Sequence, residues 1–264
     1  HGSTPTTHIF KLPLGRVGNM QADLSSSVEN EWLCSRVVAA FGIPVAATEM
    51  AMFEDQKVLI VERFDRRISS DGRWWLRLPQ EDMCQALGVH PDLKYEAEGG
   101  PGVLKIMELL QRSTKSDRDR HAFFKAQLVF WLLSATDGHA KNFSLHLNAG
   151  GSYELTPLYD VLSAHPIIGR GPNQLDPHDA KLAMAVVSKN RHYDIGGIRA
   201  RHWEAMATRC GIDGRALLEE VVSAVPTVVE TVAKELPDAF PDAVATPILD
   251  GIAAASERLH SQMG

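Results

Sequence analysis

Cysteine is scarce: Cys34, Cys84 and Cys210 are the only three in 264 residues, widely spaced and without a C-x-x-C pair or Cys/His ligand spacing. This excludes a disulfide-stapled secreted scaffold and a structural zinc site, and it fits a reducing cytoplasm. No apolar run reaches the roughly 18–20 residues that span a bilayer, because Lys125 and Gln127 interrupt the longest one, so no membrane anchor is expected. Positive charge is not in excess, since 27 Lys and Arg against 33 Asp and Glu leave a net charge of −6 and no global attraction to nucleic acid. Arg191, His192, Arg199, Arg201 and His202 form a local basic cluster, which reads either as a solvated helix face or as a phosphate-binding patch. There is no internal repeat and no low-complexity segment. No signal-peptide pattern precedes the first Thr-rich strand, and the start at His1 reads as that of a fragment or a processed chain.

What is present is an ordinary globular composition, 44% hydrophobic and 23% charged. A chain of this size buries on the order of 70% of its unfolded surface and needs no staples. Thr7 to Pro13 reads as a short strand closed by Pro13, with Lys11 a charged residue among apolar neighbours. Gly15 to Gly18 reads as a connection. A helix is expected from Ser26 or Ser27, where Ser26 and Glu29 have capping-box spacing and Val28, Leu33, Val37, Ala40 and Phe41 form a stripe ending at Gly42. Glu31 lies off that stripe. Val45 to Phe53 and Lys57 to Phe64 read as a hairpin, after which the chain turns polar. Beyond it the pattern is mainly helical, with amphipathic helices over Arg201–Arg209, Gly214–Ala224, Thr227–Glu235 and Pro247–His260. The expected class is α+β: a small sheet-containing lobe over residues 1–65, then a large, mainly helical lobe over 66–264.

The run from Ser134 to Phe143 sets Asp137 five positions before Asn142, and Asp160 follows. An aspartate to receive a hydroxyl proton, with an amide and a second carboxylate to hold Mg²⁺, is the inventory of a phosphoryl-transfer site. The same spacing also arises in surface turns. Its setting favours chemistry: His121 to Ala135 is apolar almost all round, as a buried helix is, so Asp137 would emerge from a rigid element. Phe143 to Leu147 and Tyr153 to Leu155 alternate around a turn-forming Asn148–Ser152, and the resulting hairpin would return Asp160 towards Asp137 and Asn142. Lys11 followed by Glu31 is the strand-lysine, helix-glutamate pair of a kinase small lobe; an outward-facing lysine and a helix-dipole glutamate explain the same residues. A lobe linker at Glu62-Arg63-Phe64 would offer backbone groups to adenine, or be a plain strand end. No glycine-rich loop lies in the ten residues before Lys11.

The strings HIFKLP, SSVENEW, VERFDRR, LRLPQEDMCQALG, GGPG, ATDGHAKNFS and LTPLYDVLSA occur in this order with compact spacing. Together they resemble the C-terminal kinase region of the HipA family, toxins of bacterial HipBA toxin–antitoxin modules, over nearly the whole chain. The resemblance implies a two-lobed protein-kinase-like fold and ATP- and Mg²⁺-dependent Ser/Thr phosphorylation. It implies a helix-turn-helix antitoxin partner of the HipB kind, operator DNA reached through that antitoxin, and glutamyl-tRNA synthetase as a target. By position it makes Lys11 the phosphate-contacting lysine, Glu62, Arg63 and Phe64 the adenine segment, and Asp137 the catalytic base. His139, Lys141, Asn142, Tyr159 and Asp160 take the remaining nucleotide positions, with Asn142 and Asp160 on the metal. Family members carry a β-rich subdomain and a glycine-rich loop before the lysine strand, and neither is present in this sequence. The stretch alone is therefore expected to lack part of the phosphate cradle. Three other readings compete: a small-molecule phosphotransferase, a non-catalytic antitoxin- or DNA-binding module, and a metal hydrolase using Asp137, His139, Asp160 and His165.

Overall fold

Along the chain the hydrophobic period changes from alternation to helical spacing, and the architecture follows that change. The computed structural model describes residues 4–18 and 21–263. The first part holds β1 (His8–Lys11), a ribbon of β2 (Gly15–Val17) and β3 (Ala22–Leu24), helix α1 (Ser27–Ala40), β4 (Thr48–Phe53) and β5 (Gln56–Glu62). Its sheet has the antiparallel order β1-β5-β4, with Lys11 opposite Leu59. The segment expected to be a plain connection is instead strand β2, because Gly18 at φ +70° lets the chain reverse and Val17 then pairs with Ala22. Val45 also leaves the expected hairpin: it forms a parallel bridge with Leu158, and Ala46 N–H donates to the Leu158 carbonyl at 2.8 Å.

Helix α1 is buried on every side from Ser27 to Cys34, since it packs against β4, β5 and two later helices rather than lying on a surface. That placement undoes the expected capping box. Ser26 makes no side-chain cap, and Glu29 is turned to the Lys57 ammonium of β5, because a buried carboxylate requires an opposite charge more than a helix start requires a second cap.

After β5 come the ribbon of β6 (Arg66–Ile68) and β7 (Trp75–Arg77), strand β8 (Gln80–Asp82), and helices α2 (Met83–Ala86), α3 (Val103–Leu110) and α4 (Ser116–Leu132). Next follow β9 (Ser144–Leu147) and β10 (Tyr153–Leu155), which join β8 in the order β10-β9-β8, then the hairpin β11 (Lys181–Val187) and β12 (Arg191–Asp194). Helices α5 (Ala200–Arg209), α6 (Gly214–Glu235) and α7 (Asp242–His260) complete the chain. The two helices expected on either side of Pro226 are one, α6, because Val221, Val225, Val228 and Val232 keep an unbroken buried stripe across the missing N–H. Likewise α7 starts at Asp242, ahead of Pro247.

The core gathers on α4, where Phe123, Phe124 and Trp131 are fully buried; Phe123 meets Phe143 edge-on at 4.9 Å and Trp131 meets Trp203 at 6.4 Å. Asn30 of α1 joins this part to the small sheet. Its amide donates to the Ser163 carbonyl and accepts from the Ser163 N–H, both at 2.8 Å and both buried. Asn30→Ala strands both backbone groups without water, which should cost about 2–4 kcal/mol in denaturant unfolding; a loss under about 0.5 kcal/mol would show that the clamp carries no stability.

Candidate active site

Helix α4 ends at Leu132, and Ser134 at φ +49° turns the chain sharply into the Asp137 loop. Gly138 is required there: a Cβ on it would lie 2.4 Å from the Phe130 ring. His139 N–H then donates to the Asp137 carbonyl at 2.8 Å and to Asn142 Oδ1 at 3.1 Å, winding Ala140–Asn142 into a 3₁₀ turn. The β9–β10 hairpin pairs Leu145 with Leu155, and Gly150 and Gly151 supply its left-handed turn. Its second arm leads through the Leu158–Val45 bridge to Asp160, which takes φ +60°.

Four side chains converge where these elements meet. Lys11 Nζ donates to Glu31 Oε1 and to Asp160 Oδ1, each at 2.7 Å, and Asn142 Nδ2 donates to Asp160 Oδ2 at 3.0 Å. Burial opposes the Lys11 charge, but Glu31 and Asp160 together outweigh it and hold the ammonium above its usual value. Burial also pushes the Glu31 carboxyl up despite Lys11, so Glu31 is the strained member of the pair and Lys11 the satisfied one. A cavity of about 350 Å³ opens beside them, lined by Leu12, Val28, Leu59 and Leu162 as well as the charged groups.

Asp137 lies at the loop's exposed edge, with His139 Nε2 3.8 Å from its Oδ1 and the Tyr95 hydroxyl donating to the same oxygen. Phe64 packs on Tyr159 with ring centroids 5.6 Å apart and meets His146 edge-on at 5.5 Å. The Tyr159 hydroxyl donates to the Lys141 carbonyl at 2.7 Å and lies 2.5 Å from Ser144 Oγ.

Not every residue singled out in the sequence joins this group. Lys141 Nζ turns to Asp82 at 2.8 Å, and Arg63 forks onto Asp65 at 2.9 and 2.8 Å. Glu62 ends β5 with an exposed side chain, its N–H bonded to Ala47. His165 Nε2 lies 2.9 Å from the Leu132 carbonyl, away from the loop, and among the described residues no three His, Cys, Asp or Glu side chains form a metal-ligand set. The hydrolase reading has no cluster to stand on. The basic cluster is likewise not one face: His202 is buried and stacked on His192 at 3.8 Å, Arg191 is paired with Glu96 and Arg199 with backbone carbonyls. A cavity of about 640 Å³ lies behind the β9–β10 hairpin, where Lys115 and Lys125 already pair with Glu154 and Glu220.

Sequence reasoning missed Tyr95, Asn30 and Asp82. Tyr95 is 42 residues from Asp137, and no local pattern links them. Asp82 gives a capping box to α2 with Gln85, a signal open to reading in Asp82-Met83-Cys84-Gln85.

A match to the HipA-like C-terminal domain extends over residues 1–234. The chain belongs to that family. It is 34% identical over 236 residues to a putative kinase, Y4mE, of Sinorhizobium fredii, covering 88% of this chain and 51% of the relative. It is 29% identical over 256 residues to the serine/threonine-protein kinase toxin HipA of Shewanella oneidensis, covering 92% and 52%. The chain thus spans about half the length of the curated relatives it matches. A solved structure of the Shewanella oneidensis HipA, HipB and operator DNA complex superposes with TM-score 0.80 at 23% identity, over 98% of this chain and 59% of the other. The Helicobacter pylori proinflammatory kinase CtkA superposes with TM-score 0.63 at 10% identity, over 97% and 88%. The fold is therefore α+β and kinase-like.

Burial lowers His139 and His146, both beside the cleft, and also His165 and His202, below the usual imidazole value. The unfolded chain takes up these protons near pH 6.5 while the folded chain resists them, so stability is full above about pH 6.5 and declines as pH falls below it. The denaturant midpoint should drop between pH 7 and pH 5, before carboxylates titrate, and His139→Asn should shrink the drop; a flat midpoint would contradict it.

Proposed function

We propose that this chain is the catalytic region of an ATP- and Mg²⁺-dependent serine/threonine protein kinase from a toxin–antitoxin module. The observation that carries the proposal is the convergence of Lys11, Glu31 and Asp160 at the 350 Å³ cavity, with Asn142 bonded to Asp160 and Asp137 on the loop that leads to Asn142. We read residues 1–65 as the small lobe and 66–264 as the large lobe, with Glu62, Arg63 and Phe64 between them.

The donor set suits a divalent metal ion. Asp160 and Asn142 carry the carboxylate and amide oxygens a hard Mg²⁺ ion takes, and they stand side by side, joined by a 3.0 Å hydrogen bond. Bound there, the ion would neutralise the charge that develops on the phosphates as phosphoryl transfer proceeds. Lys11, already held charged by Glu31, neutralises phosphate from the sheet side. Phe64 and Tyr159 offer an aromatic wall for the base, and His139 orders the loop that carries Asp137. Asp137, exposed on the loop that leads to Asn142, accepts the proton of a serine or threonine hydroxyl.

The wider role rests on relatives named HipA and kinase. A HipB-like helix-turn-helix antitoxin as partner, operator DNA reached through it, and glutamyl-tRNA synthetase as a target are proposals on the same footing. Asp137→Asn should leave ATP binding nearly intact yet slow single-turnover phosphorylation roughly 10²- to 10⁴-fold. Transfer at the unmutated rate would remove Asp137 from the role of base, and transfer to small hydroxylated acceptors in preference to protein would favour the small-molecule phosphotransferase.

A further inference from the structure

The stretch from His90 to Gly102, which contains the GGPG string, enters the site through Tyr95 alone, which reaches the Asp137 carboxylate. Tyr95 supplies the only side-chain hydrogen bond that Asp137 receives among the described residues, through its hydroxyl to Oδ1. Oδ2 has no such partner, and the Asp137 side chain is 61% exposed. One oxygen is therefore fixed and the other faces outward, where an acceptor hydroxyl must approach.

Tyr95 is itself held on several sides. Its ring meets the His139 imidazole edge-on at 5.2 Å, and Lys94 places its ammonium 5.2 Å from the ring centroid. The Lys94 carbonyl accepts Ala140 N–H at 3.3 Å, which joins the stretch to the Asp137 loop, and the Tyr95 carbonyl accepts Gly100 N–H at 2.9 Å. Next to it Glu96 is anchored to the large lobe: its carboxylate accepts Ala185 N–H of β11 at 2.7 Å and Arg191 Nε at 3.1 Å. The glycines are what let the chain fold over this anchor. A Cβ on Gly100 would lie 2.3 Å from the Leu93 carbonyl oxygen, and one on Gly102 would lie 2.2 Å from the Glu96 carboxylate carbon. Burial, then the hydrogen bond to Asp137, hold the Tyr95 phenol protonated well above its ordinary range, so it remains a donor at any working pH.

We infer that Tyr95 is a positioning residue for the proposed base: its hydroxyl fixes Asp137 Oδ1, through a strap buckled by Glu96, so that Oδ2 is presented to the acceptor hydroxyl. This rests on Asp137 being the base of a kinase. A carboxylate on an exposed loop otherwise samples several rotamers, and misplacement by about 1 Å costs on the order of 10²-fold in rate.

The test compares wild type, Tyr95→Phe, Asp137→Asn and the double variant in the complete reading frame, using single-turnover phosphorylation of a serine-containing protein acceptor at saturating Mg·ATP. Tyr95→Phe keeps the ring on His139 and removes only the donor. It should slow transfer roughly ten- to a hundredfold, leave the KM for ATP and the unfolding midpoint unchanged, and add nothing in the Asp137→Asn background, because both changes act on one carboxylate. A second readout needs no activity: at neutral pH the Tyr95 ¹³Cζ resonance, assigned by its loss in Tyr95→Phe, should shift between wild type and Asp137→Asn, because the phenol then loses its carboxylate acceptor. An unchanged or faster rate in Tyr95→Phe, an equal loss in both backgrounds, or an unmoved resonance would overturn the positioning role while leaving the kinase reading intact. Full transfer by Asp137→Asn would instead remove Asp137 from the role of base, no transfer by wild type would remove the kinase reading, and either would take this inference with it.

Discussion

The site depends on one ammonium shared by two carboxylates. Lys11 stands on a strand, Glu31 on a helix and Asp160 beyond a hairpin almost 150 positions later, and each is 2.7 Å from its partner. A lone Glu31 at that depth would be too costly to keep ionised, and two carboxylates without the lysine would repel one another. The cation therefore fixes where strand, helix and hairpin must meet, and the remaining groups take their places around it. Asn142 completes the arrangement from the large lobe, by donating to the oxygen of Asp160 that Lys11 leaves free.

Much of this was open to reading in the chain because the signals are local. The Asp137–Asn142 spacing, the apolar run that becomes α4, and the alternation of β9 and β10 each lie within a few turns or one hairpin, and the structure has all three. The pairing of Lys11 with Glu31 was one of two readings, and geometry selects it. What was hidden is long-range or tertiary. Tyr95 and Asn30 act 42 and 133 positions away from their partners, and nothing in their neighbourhoods announces it. The Ser26 and Glu29 box failed because helix burial gave Glu29 a stronger claim on Lys57. Pro226 suggested a break that a buried valine stripe overrides, so local propensity lost to packing. Lys141 sits within the motif by spacing yet points to Asp82, because successive residues of a 3₁₀ turn are about 120° apart and its side chain leaves in a different direction from that of Asn142.

Small residues set the precision of the loop. Gly138 lets Asp137 pass close over Phe130, and Gly100 and Gly102 let the Tyr95 strap close over Glu96. Each is a place where backbone meets packed atoms, so the aromatic core beneath and the polar groups above are in mechanical register. The family match runs over residues 1–234 and the fold match over 98% of the chain, so the core and the loops it carries are matched together, over a chain about half as long as its curated relatives.

The bridge between Val45 and Leu158, with the Asn30 clamp on Ser163, ties the Asp160 segment to the small lobe on both sides of the aspartate. Asp160 is thus a passenger of the sheet and α1, although its chain enters from the hairpin of the other lobe. Lysine and aspartate are therefore held to one framework, and Asn142 meets Asp160 across the join between the two parts.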